Sequence, residues 1–287
     1  MNVMDLQLIS FLLLLSYLSD CLSNKECNII KFEGKWYNKE VLWSHVGRAF
    51  NLNVHRHSNT LLFSFSVSDT YSDVNFQLAY YNIDTKDYSV IAGIADGCAV
   101  AIDQKNDDIY LGGSDGIYKF NMITTIADFY KQKGINIWGL FYKRNLFYIN
   151  YPDQQLFMRV DDKFAKVKEF EKFQIDYFYV SNDNEIIFSN KTGLYKYNAA
   201  TGIANVIKES ISVRQILEDS YGDMYICSNV GLYKFQKGIL IKILDMKNIH
   251  GVAFDRDNTL VLSTQQSVFR LVPSNTSCIK DTEEEKW

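Results

Sequence analysis

The sequence predicts an all-β chain folded as a six-bladed β-propeller. Three observations carry this: a phrase that recurs at a fixed period, strand chemistry on both sides of it, and an N-terminal segment resembling the strand that the last repeat lacks. The phrase is IYLGGSDGIYKF at 109–120, IIFSNKTGLYKY at 186–197 and MYICSNVGLYKF at 224–235. Its glycines, Gly116, Gly193 and Gly231, are 77 and 38 residues apart, and 77 is close to twice 38. The intervening copy is 146–158, which has the apolar–turn–apolar shape without the glycine, and a fifth is 260–271. A sixth, with a longer turn, joins 61–65 to 78–81. The turns fall near 78, 116, 155, 193, 231 and 267, in steps of 36 to 39 residues. A period in this range marks a repeat architecture whose units bury their faces only against one another.

Each repeat also carries an upstream strand and a short polar turn, as at 251–262, 216–226 and 100–110. The runs are short, rich in β-branched and aromatic residues, and bounded by Gly, Asn and Asp, as strands are. With a fourth strand such as 239–244, each repeat makes one four-stranded sheet, and six such sheets placed radially cover each other's faces. A stacked solenoid is the alternative, and it fails because the end repeats lack a polar capping sequence.

Closure is also legible. Residues 34–42, leading to Gly47, resemble the fourth strand that precedes a blade, as 238–244 leads to Gly251. The last repeat stops after three strands, at Val272, so the N-terminal strand is expected to complete the last blade and close the ring. Cys27 lies just before this strand and Cys278 just after the third strand it pairs with, which predicts a Cys27–Cys278 disulfide. Closing a loop of about 250 residues contributes several kcal/mol in a chain-entropy estimate. Cys98 and Cys227 fall in repeats two and five, on opposite sides of the axis, and are expected to be unpaired.

The predicted organisation is a signal peptide at 1–23, the propeller at 24–278 and an acidic C-terminal tail at 279–287. The apolar run 8–18 is too short for the ~20 residues of a membrane span and is followed by small residues, as a secretory signal is. Removing 1–23 takes Cys21, Asp5 and Asp20, leaving four cysteines and a charge of −2 in place of five and −4. An even cysteine set suits an oxidising, secreted setting. Asn190 and Asn275 head glycosylation sequons. With 30 basic and 34 acidic residues, and the longest basic cluster, Lys163 to Lys172, interrupted by Glu169 and Glu171, a nucleic-acid partner is not expected. No membrane partner is expected after signal removal, and the mature chain is expected to be a monomer.

Catalytic signatures dissolve on inspection. Gly112-Gly-Ser-Asp-Gly116 matches the nucleophile elbow, but the elbow joins a strand to a helix, whereas here strands flank it. His55 and His57 have the spacing of a strand metal pair, yet they occupy the polar turn that reads Asp255-Arg-Asp257 in the last repeat. No zinc, phosphate-loop or dinucleotide motif is present, so no catalytic residue, metal or cofactor is assigned and the chain is read as a non-enzyme. What varies is the channel mouth. Aligned back from their turns, the six inner strands begin with Phe50, Cys98, Trp138, Asp176, Arg214 and His250, followed by Asn51, Ala99, Gly139, Tyr177, Gln215 and Gly251. Such a mixed ring suits a flat, conjugated, acidic small molecule. Trp138, Tyr177 and Phe50 stack on it, and Arg214 and His250 meet its acidic oxygens, with Asp176 beside them. The structural alternative is that Phe50 and Trp138 pack between blades while Asp176 pairs with Arg214.

Residues 112–121, Asn136-Ile-Trp138, 249–253 and 268–271 resemble the ommochrome-binding proteins of moths and butterflies. The resemblance runs from about 27 to 273. It implies a secreted haemolymph or epidermal carrier of ommochromes, which are tryptophan-derived phenoxazinone pigments. The chain departs from the family in its inserted turn at 66–77, in Cys98 and in its acidic tail. Two other classes remain: a gluconolactonase-like hydrolase, for whose metal the ring offers only Asp176 and Asn51, and an extracellular protein-interaction propeller.

Overall fold

Twenty-five strands and one short 3-10 turn account for the regular structure of the computed structural model, which describes residues 29–44, 47–66 and 75–274. Cys27, Cys278, Asn275, the signal segment and the acidic tail lie outside the described residues.

The described chain divides into two units, of which the larger is Glu40–Leu271. Within it, blade I is β3 (Arg48–His55), β4 (Thr60–Ser66), β5 (Phe76–Asn82) and β6 (Tyr88–Val90). Blade II is β7 (Ala99–Asp103), β8 (Asp108–Gly113), β9 (Gly116–Asn121) and β10 (Ile126–Lys131). Blade III is β11 (Ile137–Lys143), β12 (Asn145–Asn150), β13 (Leu156–Val160) and β14 (Lys163–Lys166). Blade IV is β15 (Tyr177–Val180), β16 (Ile186–Asn190), β17 (Gly193–Asn198) and β18 (Ile203–Glu209). Blade V is β19 (Val213–Glu218), β20 (Met224–Ser228), β21 (Gly231–Gln236) and β22 (Ile239–Leu244). Blade VI contains β23 (Gly251–Phe254), β24 (Leu260–Ser263) and β25 (Ser267–Pro273). The inner strands β3, β7, β11, β15, β19 and β23 each contact the next, and β23 contacts β3, so the ring closes. The molecule is a six-bladed β-propeller, as the period implies.

The last blade takes its fourth strand from the N-terminal side. Its sheet order is β1 (Ile29–Phe32), β2 (Lys35–Ser44), β25, β24, β23. Within the larger unit this closure carries a charge clamp: Arg270 Nε meets Glu40 Oε2 at 2.5 Å and Lys86 Nζ meets Glu40 Oε1 at 3.4 Å. The smaller unit holds the β1–β2 hairpin, in which Ile30 faces Tyr37 and Phe32 faces Lys35, and Ser274 N donates to Trp36 O at 3.0 Å. The fifth strand β1 has no counterpart in the repeat.

Local chemistry explains the repetition. In blades I, II and IV the turn between third and fourth strands begins with an Asn whose carboxamide oxygen accepts the next free backbone N–H groups. Asn82 takes those of Asp84 and Thr85 (3.0 and 2.9 Å), Asn121 those of Ile123 and Thr124, and Asn198 those of Ala200 and Thr201. The first turns use Asp103, Asp219 and Asp255 in the same way. These residues supply locally the hydrogen bonds that the ladder drops at a turn. Between blades the apolar faces interlock: Leu61 and Phe63 of blade I pack with Val261 and Val268 of blade VI, and Leu62 with Val100 and Leu111 of blade II. Each fully buried side chain of this kind contributes ~2 kcal/mol of transfer free energy.

Candidate functional site

The axis of the larger unit opens into a cavity of about 270 Å³ at the mouth where the inner strands begin. Phe50, Trp138, Asp176, Tyr177 and Arg214 line it, along with Cys98, Asn51, Gly139 and Gln215. The alignment of inner strands is visible in the ladder. Cys98, Asp176 and His250 each donate their backbone N–H to the second strand, to Gly112 O, Ser189 O and Ser263 O (2.9, 2.8 and 3.0 Å).

The odd-numbered blades differ at this level by a β-bulge. In β11, Ile137 pairs with Asn150 and Gly139 with Ile149, which leaves Trp138 as the extra residue. In β19, Val213 pairs with Ser228 and Gln215 with Cys227, which leaves Arg214. In β3 the ladder skips between Phe50 and Asn53, and Asn51 adopts a φ of +50°. A bulge frees a side chain from the pleat and re-aims it. Trp138 and Arg214 therefore owe their place at the mouth to ladder irregularities.

Charge is sparse inside. Among the lining residues Arg214 is the one cation and Asp176 the one carboxylate. They do not pair. Asp176 accepts from Gln154 Nε2, and the cationic charge acting on it is that of Lys191. Burial raises its carboxyl above the usual range, against the Gln154 hydrogen bond. Arg214 Nε is buried without a hydrogen-bond partner. Burial raises the Tyr177 phenol, with Arg214 opposing, and pushes the Cys98 thiol up to about 12. Cys98 Sγ–H donates to Ile137 O at 3.2 Å, and Cys98 and Cys227 are both free and buried.

Of the residues singled out in the sequence, His250 is not among those lining the cavity. It is 8% exposed and packs edge-on against Phe50, with ring centroids 5.3 Å apart. Phe50 also contacts Phe76 at 6.1 Å, and Trp138 contacts Tyr151 at 5.9 Å. Packing thus holds both rings while leaving each a face on the cavity.

Sequence reasoning missed the walls: Phe76, Phe141, Phe147 and Tyr148. At the step of Phe141 the sister inner strands carry Asn53, Ala101, Tyr179, Leu217 and Ala253, a mixture of sizes that does not single it out. No signal existed for Phe76, which falls inside the segment 66–77 read from the sequence as an inserted turn and in the structure begins β5.

Beneath the cavity Asn53, Val100, Leu140, Phe141, Gln215 and Ile216 separate it from a second, polar chamber of about 170 Å³. Gln215 is fixed at both ends: Nε2 donates to Leu52 O (2.7 Å) and Oε1 accepts from Val252 N (3.0 Å). In the lower chamber Lys143 Nζ meets Glu218 Oε1 at 2.5 Å and Tyr179 donates to Glu218 Oε2.

The remaining motifs are structural. Gly112–Gly116 straddles the β8–β9 hairpin, where Gly113 pairs with Gly116 across Ser114 and Asp115. His55 and His57 flank Asp107, at 3.0 and 3.3 Å. Among the described residues no group of three or more His, Cys, Asp or Glu is arranged to hold a metal ion. Asn190 ends β16 at the turn to β17, where its carboxamide oxygen accepts from Thr192 N at 2.9 Å. Among the described residues no helix is long and apolar enough to cross a membrane.

No protein-family model matches the chain. Similar solved structures include a gluconolactonase from Xanthomonas campestris, with TM-score 0.65 and 11% identity over 87% of this chain and 96% of that one. The WD40 β-propeller domain of Doa1 has TM-score 0.56 and 12% identity over 83% and 98%. Streptogramin B lyase has TM-score 0.53 and 8% identity over 83% and 97%. Identities this low show a shared fold. The sequence match is of another kind: the ommochrome-binding protein of Manduca sexta is 29% identical over 266 residues, which is 90% of this chain and 95% of that protein. The resemblance read from the repeat phrase and the closing strands thus extends along nearly the whole chain, and the protein is a relative of the Manduca sexta ommochrome-binding protein.

Proposed function

We propose that this protein is a secreted carrier that holds an ommochrome pigment in the cavity at its propeller mouth. The observation that carries the reading is Arg214, the single cation of an aromatic-walled cavity, with its Nε buried and unpartnered. A guanidinium in that state favours an oxyanion that accepts its free N–H groups. Phe50, Trp138 and Tyr177 supply faces for a flat conjugated ring. The relative's name supports a pigment as that ring. Residues 1–23 are taken as a signal peptide, Cys27 and Cys278 as a disulfide latch across the ring ends, Asn190 and Asn275 as sugar-bearing, and the mature chain as a monomer in haemolymph.

The test is titration with xanthommatin, followed by its visible spectrum. The carrier reading expects a spectral shift on binding. It also expects Arg214→Gln and Trp138→Ala to weaken affinity at least tenfold, the scale of a lost charged hydrogen bond or aromatic contact, ~1.5 kcal/mol or more. Unchanged affinity in both variants would remove the cavity from the argument.

A further inference from the structure

The imidazole of His250 is a buried base that lines neither cavity. It sits just ahead of β23, its backbone tied to Ser263 O and its ring against Phe50, which is itself part of the cavity wall. Its Nδ1 is buried without a hydrogen-bond partner, as is Arg214 Nε. These two buried polar atoms without a partner belong to side chains just ahead of β23 and at the start of β19, inner strands in contact with each other, and such atoms call for an explanation. The charged residues acting on the imidazole are both guanidinium-bearing, Arg214 from β19 and Arg48 from β3; no described carboxylate acts on it. Burial, then Arg214, then Arg48, push its pKa down from 6.5 to about 4, so the ring is neutral at physiological pH.

An anion arriving at Arg214 reverses that field. It cancels the repulsion of the guanidinium and brings a negative charge into a poorly solvated mouth, where attraction between opposite charges is strong. We propose that His250 couples ligand capture to a proton: when an acidic group of the ligand docks at Arg214, the buried imidazole takes one proton from solvent, and protein and ligand enter the bound state with one proton more than they held apart. The ligand then binds as an anion to a site that becomes doubly cationic on demand. An empty mouth is spared two like charges side by side. This inference rests on the carrier reading and adds the proton to it.

Linkage sets the direction. A group whose pKa is raised by binding makes binding tighter as pH falls towards the pKa of the free state. Affinity should increase as pH is lowered from 7 to 5, by about tenfold for each pH unit below the bound-state pKa, with the gain ending near pH 4. The decisive experiment is calorimetric titration of the full chain with xanthommatin at pH 5.5, in two buffers of different ionisation enthalpy. The difference in observed heat gives the protons taken up. An uptake approaching one per pigment is expected, falling to near zero in His250→Asn, whose affinity should be flat between pH 5 and 7. Pigment binding with no proton uptake in the wild-type protein overturns this proposal alone, leaving the carrier reading in place. No pigment binding at all overturns both.

Discussion

Replacing Arg270 with Met should unfasten the ring closure, with a pH signature that identifies the cause. Arg270 spans two carboxylates: its Nε is 2.5 Å from Glu40 Oε2, on the strand that completes blade VI, and its Nη1 is 3.5 Å from Asp255 Oδ2. The Asp255 side chain is fully buried. Its Oδ1 accepts from Asp257 N and Thr259 N at 3.0 and 2.7 Å, whereas Oδ2 has no hydrogen-bond donor, so the Arg270 charge is what it faces. Burial raises the Asp255 carboxyl, opposed by those two backbone bonds and then by Arg270. Methionine keeps most of the aliphatic packing of the arginine stem, so the loss is mainly electrostatic. Breaking one side of a buried ion pair costs ~3–5 kcal/mol. Protonation of Asp255 limits the cost at pH 7 to ~4 kcal/mol, at 1.36 kcal/mol for each unit above an ordinary pKa near 3.9. The two backbone bonds persist, which places the expected loss at about 3 kcal/mol, or roughly 6–12 °C in Tm for a domain of this size.

The pH dependence follows from the same residues. In the variant, Asp255 holds its proton more tightly folded than unfolded, so its cost is greatest at neutral pH and disappears as pH falls towards its ordinary value. Glu40 behaves oppositely. Burial would raise its carboxyl, but Arg270 and Lys86 bring it below the usual range, so its contribution is present above that range and lost in acid. Urea unfolding at pH 7 and pH 4.5 should therefore show the gap between wild type and Arg270→Met closing in acid. Adding Asp255→Asn, which keeps the acceptor and removes the charge, should restore about 2 kcal/mol at pH 7. A loss below about 1 kcal/mol, or an equal loss at both pH values, would refute the buried-charge account.

Other consequences are more local. Gly231→Ala should cost ~3 kcal/mol in urea unfolding, because φ is +146° and a Cβ would lie 2.4 Å from Leu244 O; Gly238→Ala, with φ +81° and open space, should cost only ~1 kcal/mol. Gln215→Leu should cost ~2 kcal/mol by stranding Leu52 O and Val252 N, and the Val252 amide should exchange faster with deuterium. Cys98 and Cys227, whose thiols burial pushes up to about 12, should resist a thiol-directed disulfide reagent at pH 8 in the native protein and react once unfolded.

The architecture was legible because it is written in short-range chemistry repeated many times. The hairpin Gly of three repeats, the Asn or Asp that opens many of the turns and the short β-branched and aromatic strands are local requirements, and a period near 38 residues multiplies them. Ring closure was legible for the same reason, since 34–42 has the same leading shape as 238–244. The first-blade copy was the least regular, and its inserted turn hid Phe76.

The mouth was legible only in outline. Counting back from the turns located Phe50, Trp138, Asp176, Tyr177 and Arg214, because equivalent steps of equivalent strands end at one rim. Counting could not say which side chains leave the ladder, since a bulge depends on the register of the partner strand and not on its own residues. Nor could it show that Asp176 turns to Gln154 rather than to Arg214, or that His250 is buried behind Phe50 with Arg214 and Arg48 depressing its basicity. By itself the sequence determined the number of blades, their closure and the residues that compete for the rim. Tertiary structure alone decided which of those residues face the cavity and what surrounds them there, because burial and electrostatic fields sum over neighbours that the chain brings together from different blades.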